Sequence, residues 1–153
     1  MKASERIKTL IKGWGGCRLE AYRCPAGVPT IGYGHTGPDV AQGLRITQAH
    51  AERLFEGDIA RFEDELQRWM RIDSVPGLTQ GQYDALLSFA YNTGITALRR
   101  STLWRKVCAD PSDPSVPAEF SRWVNAGGRR MPGLVARREE EARIYTGRHG
   151  GEV

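Results

Sequence analysis

Gly15-Gly16-Cys17-Arg18-Leu19-Glu20-Ala21-Tyr22-Arg23-Cys24-Pro25-Ala26-Gly27-Val28-Pro29-Thr30-Ile31-Gly32-Tyr33-Gly34 is where the texture of this chain departs most clearly from a helical pattern. Its Gly, Pro, Tyr, Thr and Ile residues, with a Pro25-Ala26-Gly27 turn between two short segments, predict a β-hairpin or small meander. On the N-terminal side, Ile7, Leu10, Ile11 and Trp14 follow the polar Ser4 at helical spacing, a short amphipathic helix that Gly15-Gly16 stops. On the C-terminal side, Thr47 is placed to cap a long helix in which Phe55, Ile59, Phe62, Leu66 and Trp69 form one apolar stripe. Any sheet is therefore expected to be small and confined to residues 17–34, in an α+β fold that is mostly helical.

Further along, Thr79 and Gln82 form a capping-box pattern, Leu78 and Tyr83 are spaced as a hydrophobic staple, and the face of Leu86, Leu87, Ala90 and Tyr91 runs on to Gly94. A helical segment is expected over Ser101 to Val107, then a loop from Ala109 to Pro117 with three prolines. Two short helices are expected around Phe120 to Val124 and Leu134 to Tyr145, the second closed by Gly147. The sum is a single domain. Its β-containing lobe covers about 15–46, a connecting helix about 47–70, and a helical lobe about 71–147 with the N-terminal helix 3–14, leaving an active-site cleft between lobes.

At 153 residues, 40% hydrophobic and 26% charged, the chain has the composition of an ordinary globular domain. A net charge of +4 favours an anionic partner but does not choose one. The basic residues are scattered, apart from Arg99-Arg100, Arg129-Arg130 and Arg137-Arg138, and lack the aromatic interleaving of a nucleic-acid platform, so no nucleic-acid partner is expected. No window approaches the roughly 20 apolar residues of a membrane span, and Met1 to Trp14 lacks the apolar run of a signal peptide, so no stable membrane insertion is expected. Cys17, Cys24 and Cys108 form no C-x-x-C unit, which points to neither a disulfide framework nor a zinc site. No metal or cofactor is implied, and a monomer is expected.

The run Arg18 to Tyr22 followed by Pro25 to Thr36 closely resembles the catalytic segment of phage-type lysozymes, the endolysin family of glycoside hydrolases. Ala51-Glu52-Arg53-Leu54-Phe55-Glu56-Gly57-Asp58-Ile59 resembles that family's interlobe helix, and Phe89-Ala90-Tyr91-Asn92-Thr93-Gly94 its cleft-lining segment. Arg122-Trp123-Val124, Gly127-Gly128 and Gly133 to Glu141 also match, so the likeness covers nearly the whole chain. It implies a muramidase that cuts the β-1,4 bond between N-acetylmuramic acid and N-acetylglucosamine in bacterial peptidoglycan, for host-cell lysis. Such a protein waits in the host cytoplasm until the membrane is permeabilised, then acts in the periplasm on the wall.

In the family a glutamate precedes a glycine at the end of the first helix, an aspartate or in some members a cysteine lies nine positions later, and a threonine six after that. Carried over, these catalytic positions are Gly15, Cys24 and Thr30. Glycoside hydrolysis needs a protonated acid at the leaving oxygen and a second group across the sugar. Glycine supplies neither, so this chain is expected to be inactivated at residue 15. By the same resemblance Arg18 matches the arginine that holds the catalytic carboxylate and, with glycine at residue 15, is left facing water or substrate. Arg18, Tyr33 and Asn92 are the expected substrate-binding residues, and His35 pairs with Asp58 to link the N-terminal lobe to the long helix. Glu20, on one face of an extended segment with Arg18 and Tyr22, is expected to form a surface ion pair with an arginine rather than to replace the acid. Three explanations stay open: an experimentally inactivated enzyme, a natural peptidoglycan-binding pseudoenzyme, and an active enzyme with another acid.

Overall fold

The computed structural model describes residues 1–147, which divide into two compact units. One runs from Lys8 to Arg61, and the other joins Met1–Ile7 to the chain from Phe62 onward. Two helices carry the chain across these boundaries: α1, Glu5–Gly15, and α2, Gln48–Ile72.

In the Lys8–Arg61 unit, β1 (Arg18–Arg23) and β2 (Pro29–Gly32) form an antiparallel hairpin. Tyr22 pairs with Thr30 and Arg23 with Pro29, and the register slips between Arg18 and Tyr22. The turn closes as expected at residues 24–27, where the Gly27 N–H donates to the Cys24 carbonyl at 2.7 Å and the Cys24 N–H to the Val28 carbonyl at 3.0 Å. Residues 44–46 run beside β1, with the Ala21 N–H on the Leu44 carbonyl and the Ile46 N–H on the Leu19 carbonyl, both at 2.9 Å. Thr30, Ile31 and Gly32 are buried, and Ile11, Val40, Ala51, Phe55 and Ile59 complete a core into which α1 and α2 each set one apolar stripe. Gly32 has φ +64°, and it is this left-handed backbone that holds it as glycine, since an added Cβ would make only ordinary contact, 3.6 Å from that of Ala51. Thr47 caps α2 by accepting from the His50 N–H at 3.1 Å.

In the other unit, α3 (Gln80–Thr93) is buried without a break from Gln82 to Ala90, so all its sides are covered. Both halves of its capping box are formed, with the Gln82 N–H on Thr79 Oγ1 and the Thr79 N–H on Gln82 Oε1. Around it lie α4 (Ile95–Arg100), α5 (Thr102–Ala109), α6 (Val116–Phe120) and α7 (Pro132–Tyr145). Phe89 meets Phe120 and Trp123 edge to face at 5.9 and 5.4 Å, and Phe120 meets Tyr145 at 5.7 Å.

Three expectations need correction. Sheet is not confined to residues 17–34: β3 (Asn125–Ala126) and β4 (Arg129–Arg130) form a second hairpin, closed by Gly127 at φ +59° and Gly128 at φ +77°. Two successive left-handed residues are what a two-residue hairpin turn needs. The helix placed at Phe120 to Val124 lies earlier, at Val116–Phe120, because Pro117 occupies its first turn, where a missing N–H costs nothing. For the same reason the loop after Ala109 ends before Pro117. Beyond the expected elements, a further short helix, α4, follows Gly94.

Candidate active site

Gly15 is the last residue of α1 and is exposed. Its φ is not positive, and a Cβ built on it meets nothing within 4 Å. A Cβ therefore fits there without steric conflict. Gly16 differs: at φ +65°, with its N–H on the Lys12 carbonyl at 3.2 Å, it is the residue that turns the chain out of the helix. The Gly15-Gly16 pair thus needs glycine only at its second position.

Cys24 and Thr30 face one another across the hairpin turn in the same unit. The backbone N–H of Val28 above all, against the opposing effect of partial burial, lowers the Cys24 thiol below its ordinary pKa, and the Thr30 hydroxyl lies close enough to contribute. Thr30 itself is buried and donates to the Val28 carbonyl at 2.9 Å. The arrangement favours negative charge on sulfur, the property an aspartate has outright at that position. All three cysteines are free thiols.

Among the described residues Arg18 has no carboxylate partner, and its guanidinium stacks 4.5 Å from the Tyr22 ring centre. Glu20 pairs with Arg45 at 2.7 Å, both well exposed. That leaves Glu20 a surface carboxylate tied to a cation.

Tyr33 stands in a cluster that sequence reasoning did not assemble. Its hydroxyl donates to Glu52 Oε1 at 2.7 Å and accepts from Gln48 Nε2 at 2.9 Å, and its ring meets Phe55 edge to face at 5.6 Å. Lys12 Nζ reaches Glu52 Oε2 at 2.6 Å and lies 4.9 Å from the Phe55 ring centre. Lys12 first, then Tyr33, draws the Glu52 carboxyl down to about 2. The cluster ties the last turn of α1, three residues before Gly15, to the first turns of α2. Nothing in the local pattern signals it, because Lys12, Tyr33 and Glu52 meet only through the tertiary fold.

His35 Nδ1 lies 2.8 Å from Asp58 Oδ2 and Nε2 lies 3.0 Å from Asp39 Oδ2, while Arg61 reaches Asp58 from the next turn of α2 at 3.4 Å. Burial opposes charge on His35, but the hydrogen bonds its ring donates to Asp58 and Asp39 and their negative charges outweigh it and raise its pKa above 6.5. Folding therefore favours the protonated ring. The stability it contributes is complete below the unfolded-state value near 6.5 and is lost as pH rises through the higher folded-state value. His35→Asn is expected to lower the unfolding free energy by on the order of 2 kcal/mol near pH 5.5 and by less near pH 9, read from urea denaturation at both pH values.

Asn92 belongs to the other unit, near the end of α3. Its amide oxygen accepts from Arg138 Nη2 at 2.9 Å, which leaves the amide nitrogen as the donor still available. Behind it, Arg138 Nε lies 2.8 Å from Glu141 Oε1, and Ser88 Oγ donates to Glu141 Oε2 at 2.5 Å; all three side chains are wholly buried. Burial pushes Glu141 up and Arg138 down from their ordinary values, each partly countered by the other's charge. Neither Arg138 nor Glu141 was singled out from sequence for this role.

No group of His, Cys, Asp and Glu able to hold a metal occurs among the described residues, and none of their helices is long and apolar enough to cross a membrane.

One hairpin ahead of a 25-residue helix, with a mostly helical remainder, makes an α+β protein. It superposes on solved phage lysozymes, among them an endolysin from an Escherichia coli O157:H7 phage with a TM-score of 0.78 at 33% identity over 95% of this chain and 93% of that one. The phage lysozyme family model matches residues 12–141, and the chain belongs to that family. It is 41% identical to an endolysin of Acyrthosiphon pisum secondary endosymbiont phage 1, over 95% of this chain and 98% of that protein. An endolysin of Bacillus phage B103 is 39% identical over 95% of this chain, which spans only 54% of that relative. Among solved structures, the muramidase domain of SpmX from Asticaccaulis excentricus superposes with a TM-score of 0.79 at 30% identity, covering 94% of this chain and 97% of that one.

Proposed function

We propose that this chain is a peptidoglycan muramidase domain lacking its proton donor: it recognises the glycan of the bacterial wall and does not cut it. The observation that carries this reading is residue 15. A helical, exposed position with open space around it, followed by the glycine that makes the turn, is a place built for a side chain and occupied by none. In the same unit, Cys24 is a thiol with a lowered pKa and Thr30 is buried on the hairpin; in the other unit, Asn92 is held by a buried arginine. The β-1,4 bond between N-acetylmuramic acid and N-acetylglucosamine is the substrate bond, by likeness to endolysins and to a muramidase domain.

The domain works as a monomer, without metal or cofactor, on a wall it reaches from the host cytoplasm once the membrane has been opened. A natural pseudoenzyme and an inactivated enzyme share this binding behaviour and differ in history, not in chemistry. The test is sedimentation with purified peptidoglycan. The chain is expected to pellet with the wall while the suspension keeps its turbidity; a chain left in the supernatant, or a clearing suspension, contradicts the reading.

A further inference from the structure

A groove of about 510 Å³ lies on the unit that begins at Phe62, lined by side chains of α2, α4 and α5 together with Asp73. Its donors and acceptors are unevenly spent. Arg99 lies over Trp69, its guanidinium carbon 3.6 Å from the ring centre, and grips Asp73 with Nε and Nη2, both at 3.2 Å. Trp104 Nε1 donates to the same carboxylate at 2.8 Å. Asp73, the one acid lining the groove among the described residues, is thus already engaged by three N–H groups, and Arg99 before Trp104 holds its carboxyl below the ordinary range. Burial first, and then Asp73, push the Cys108 thiol on the groove wall up, so it adds no negative charge.

On the donor side little is spent. Arg99 keeps the N–H bonds it does not give to Asp73. Arg100 and Arg105 are exposed and have no carboxylate partner among the described residues; Arg105 makes only a 3.3 Å hydrogen bond to Thr102. Three guanidinium groups against one neutralised carboxylate leave a site whose free groups are cationic forks. Planar forks match tetrahedral oxyanions two oxygens at a time.

The geometry points to this groove as a binding site for phosphate groups, with Arg99 as a fixed floor anchored on Trp69 and Asp73 and with Arg100 and Arg105 closing on the anion from the rim. It lies wholly within one unit, shares no residue with the site around Gly15, and does not depend on the lytic reading. The phosphate can be a small free ester or a lipid headgroup, and the chemistry recognised is the same.

The full chain is titrated with inorganic phosphate, followed by tryptophan fluorescence, and is sedimented with vesicles of phosphatidylglycerol or of phosphatidylcholine at fixed salt. Saturable binding to phosphate, to phosphatidylglycerol vesicles or to both is expected. The Arg100→Gln/Arg105→Gln variant is expected to bind about tenfold more weakly, whereas Arg129→Gln/Arg130→Gln, which removes the same charge from β4, stays within about twofold. Saturation by phosphate without vesicle binding assigns a small phosphate; vesicle binding without it assigns a headgroup; either supports the groove. Absence of saturable binding to both, equal weakening by the two double variants, or equal binding to phosphatidylcholine overturns it.

Discussion

Gly15→Glu is expected to turn this chain from a wall-binding protein into a wall-cutting one, with a gain of at least about 10² and up to about 10⁴ in rate. The backbone accepts the change: residue 15 is helical and exposed, an added Cβ meets nothing within 4 Å, and Gly16 keeps the turn. The position also suits the chemistry. A carboxyl at the last residue of a helix faces the negative end of the helix dipole, which disfavours its ionised form and helps keep the proton it must deliver. Arg18, now stacked on Tyr22, is the cation that resemblance to the family assigns to hold that carboxyl. In the proposed reaction the glutamate would donate to the leaving oxygen of the glycosidic bond, with Cys24, whose thiol pKa is lowered, at the position of the second group across the sugar. The Lys12, Glu52 and Tyr33 cluster holds the last turn of α1 in place, so the new side chain starts from a fixed root.

The second large effect is on stability. Arg138→Met removes the partner of a carboxylate that has no exposure to water, and is expected to cost about 3–5 kcal/mol in unfolding free energy, measured by urea denaturation. That is comparable with the whole stability of many domains of this size. The double variant Arg138→Met/Glu141→Leu removes both charges and is expected to recover most of the loss, because the penalty lies in the orphaned ion rather than in the missing attraction. A double variant as unstable as the single one would mean that packing of the arginine stem against Phe89, whose ring centre lies 5.0 Å from the guanidinium carbon, carries the effect instead.

Much of this fold is written in local patterns. The long helix announces itself through the stripe from Phe55 to Trp69, α3 through its capping box, and the first hairpin through Pro25-Ala26-Gly27. The second hairpin escapes because each strand is two residues long, too short for an alternating pattern, although Gly127-Gly128 is itself a strong turn signal. In α7 the buried positions Arg138 and Glu141 are charged, so its pattern locates a helix but not the face that packs against α3. Apolar periodicity cannot register a core position filled by an ion pair.

The candidate site divides in the same way. Gly15, Cys24, Thr30 and Asn92 came into view by resemblance, since a lone threonine in a strand or an asparagine at a helix end carries no chemistry in its own pattern. The structure adds what resemblance did not specify: Gly15 needs no glycine, Tyr33 has its hydroxyl committed to Glu52, and Asn92 leans on Arg138. A side chain predicted to meet sugar is in each of the last two cases also part of a hydrogen-bonded support. Loss of such a residue therefore combines a binding effect with a positioning effect.

The most direct measurement is the release of new reducing ends from purified peptidoglycan by the unaltered chain, Gly15→Glu and Gly15→Gln, compared at equal amounts of folded protein. A carboxyl at residue 15, not merely a longer side chain, is what the site lacks. The predicted result is release by Gly15→Glu alone, at least about 10² above the other two. A folded Gly15→Glu protein that binds the wall and releases nothing, or an unaltered chain that already cuts, would contradict the assignment of residue 15 as the missing acid.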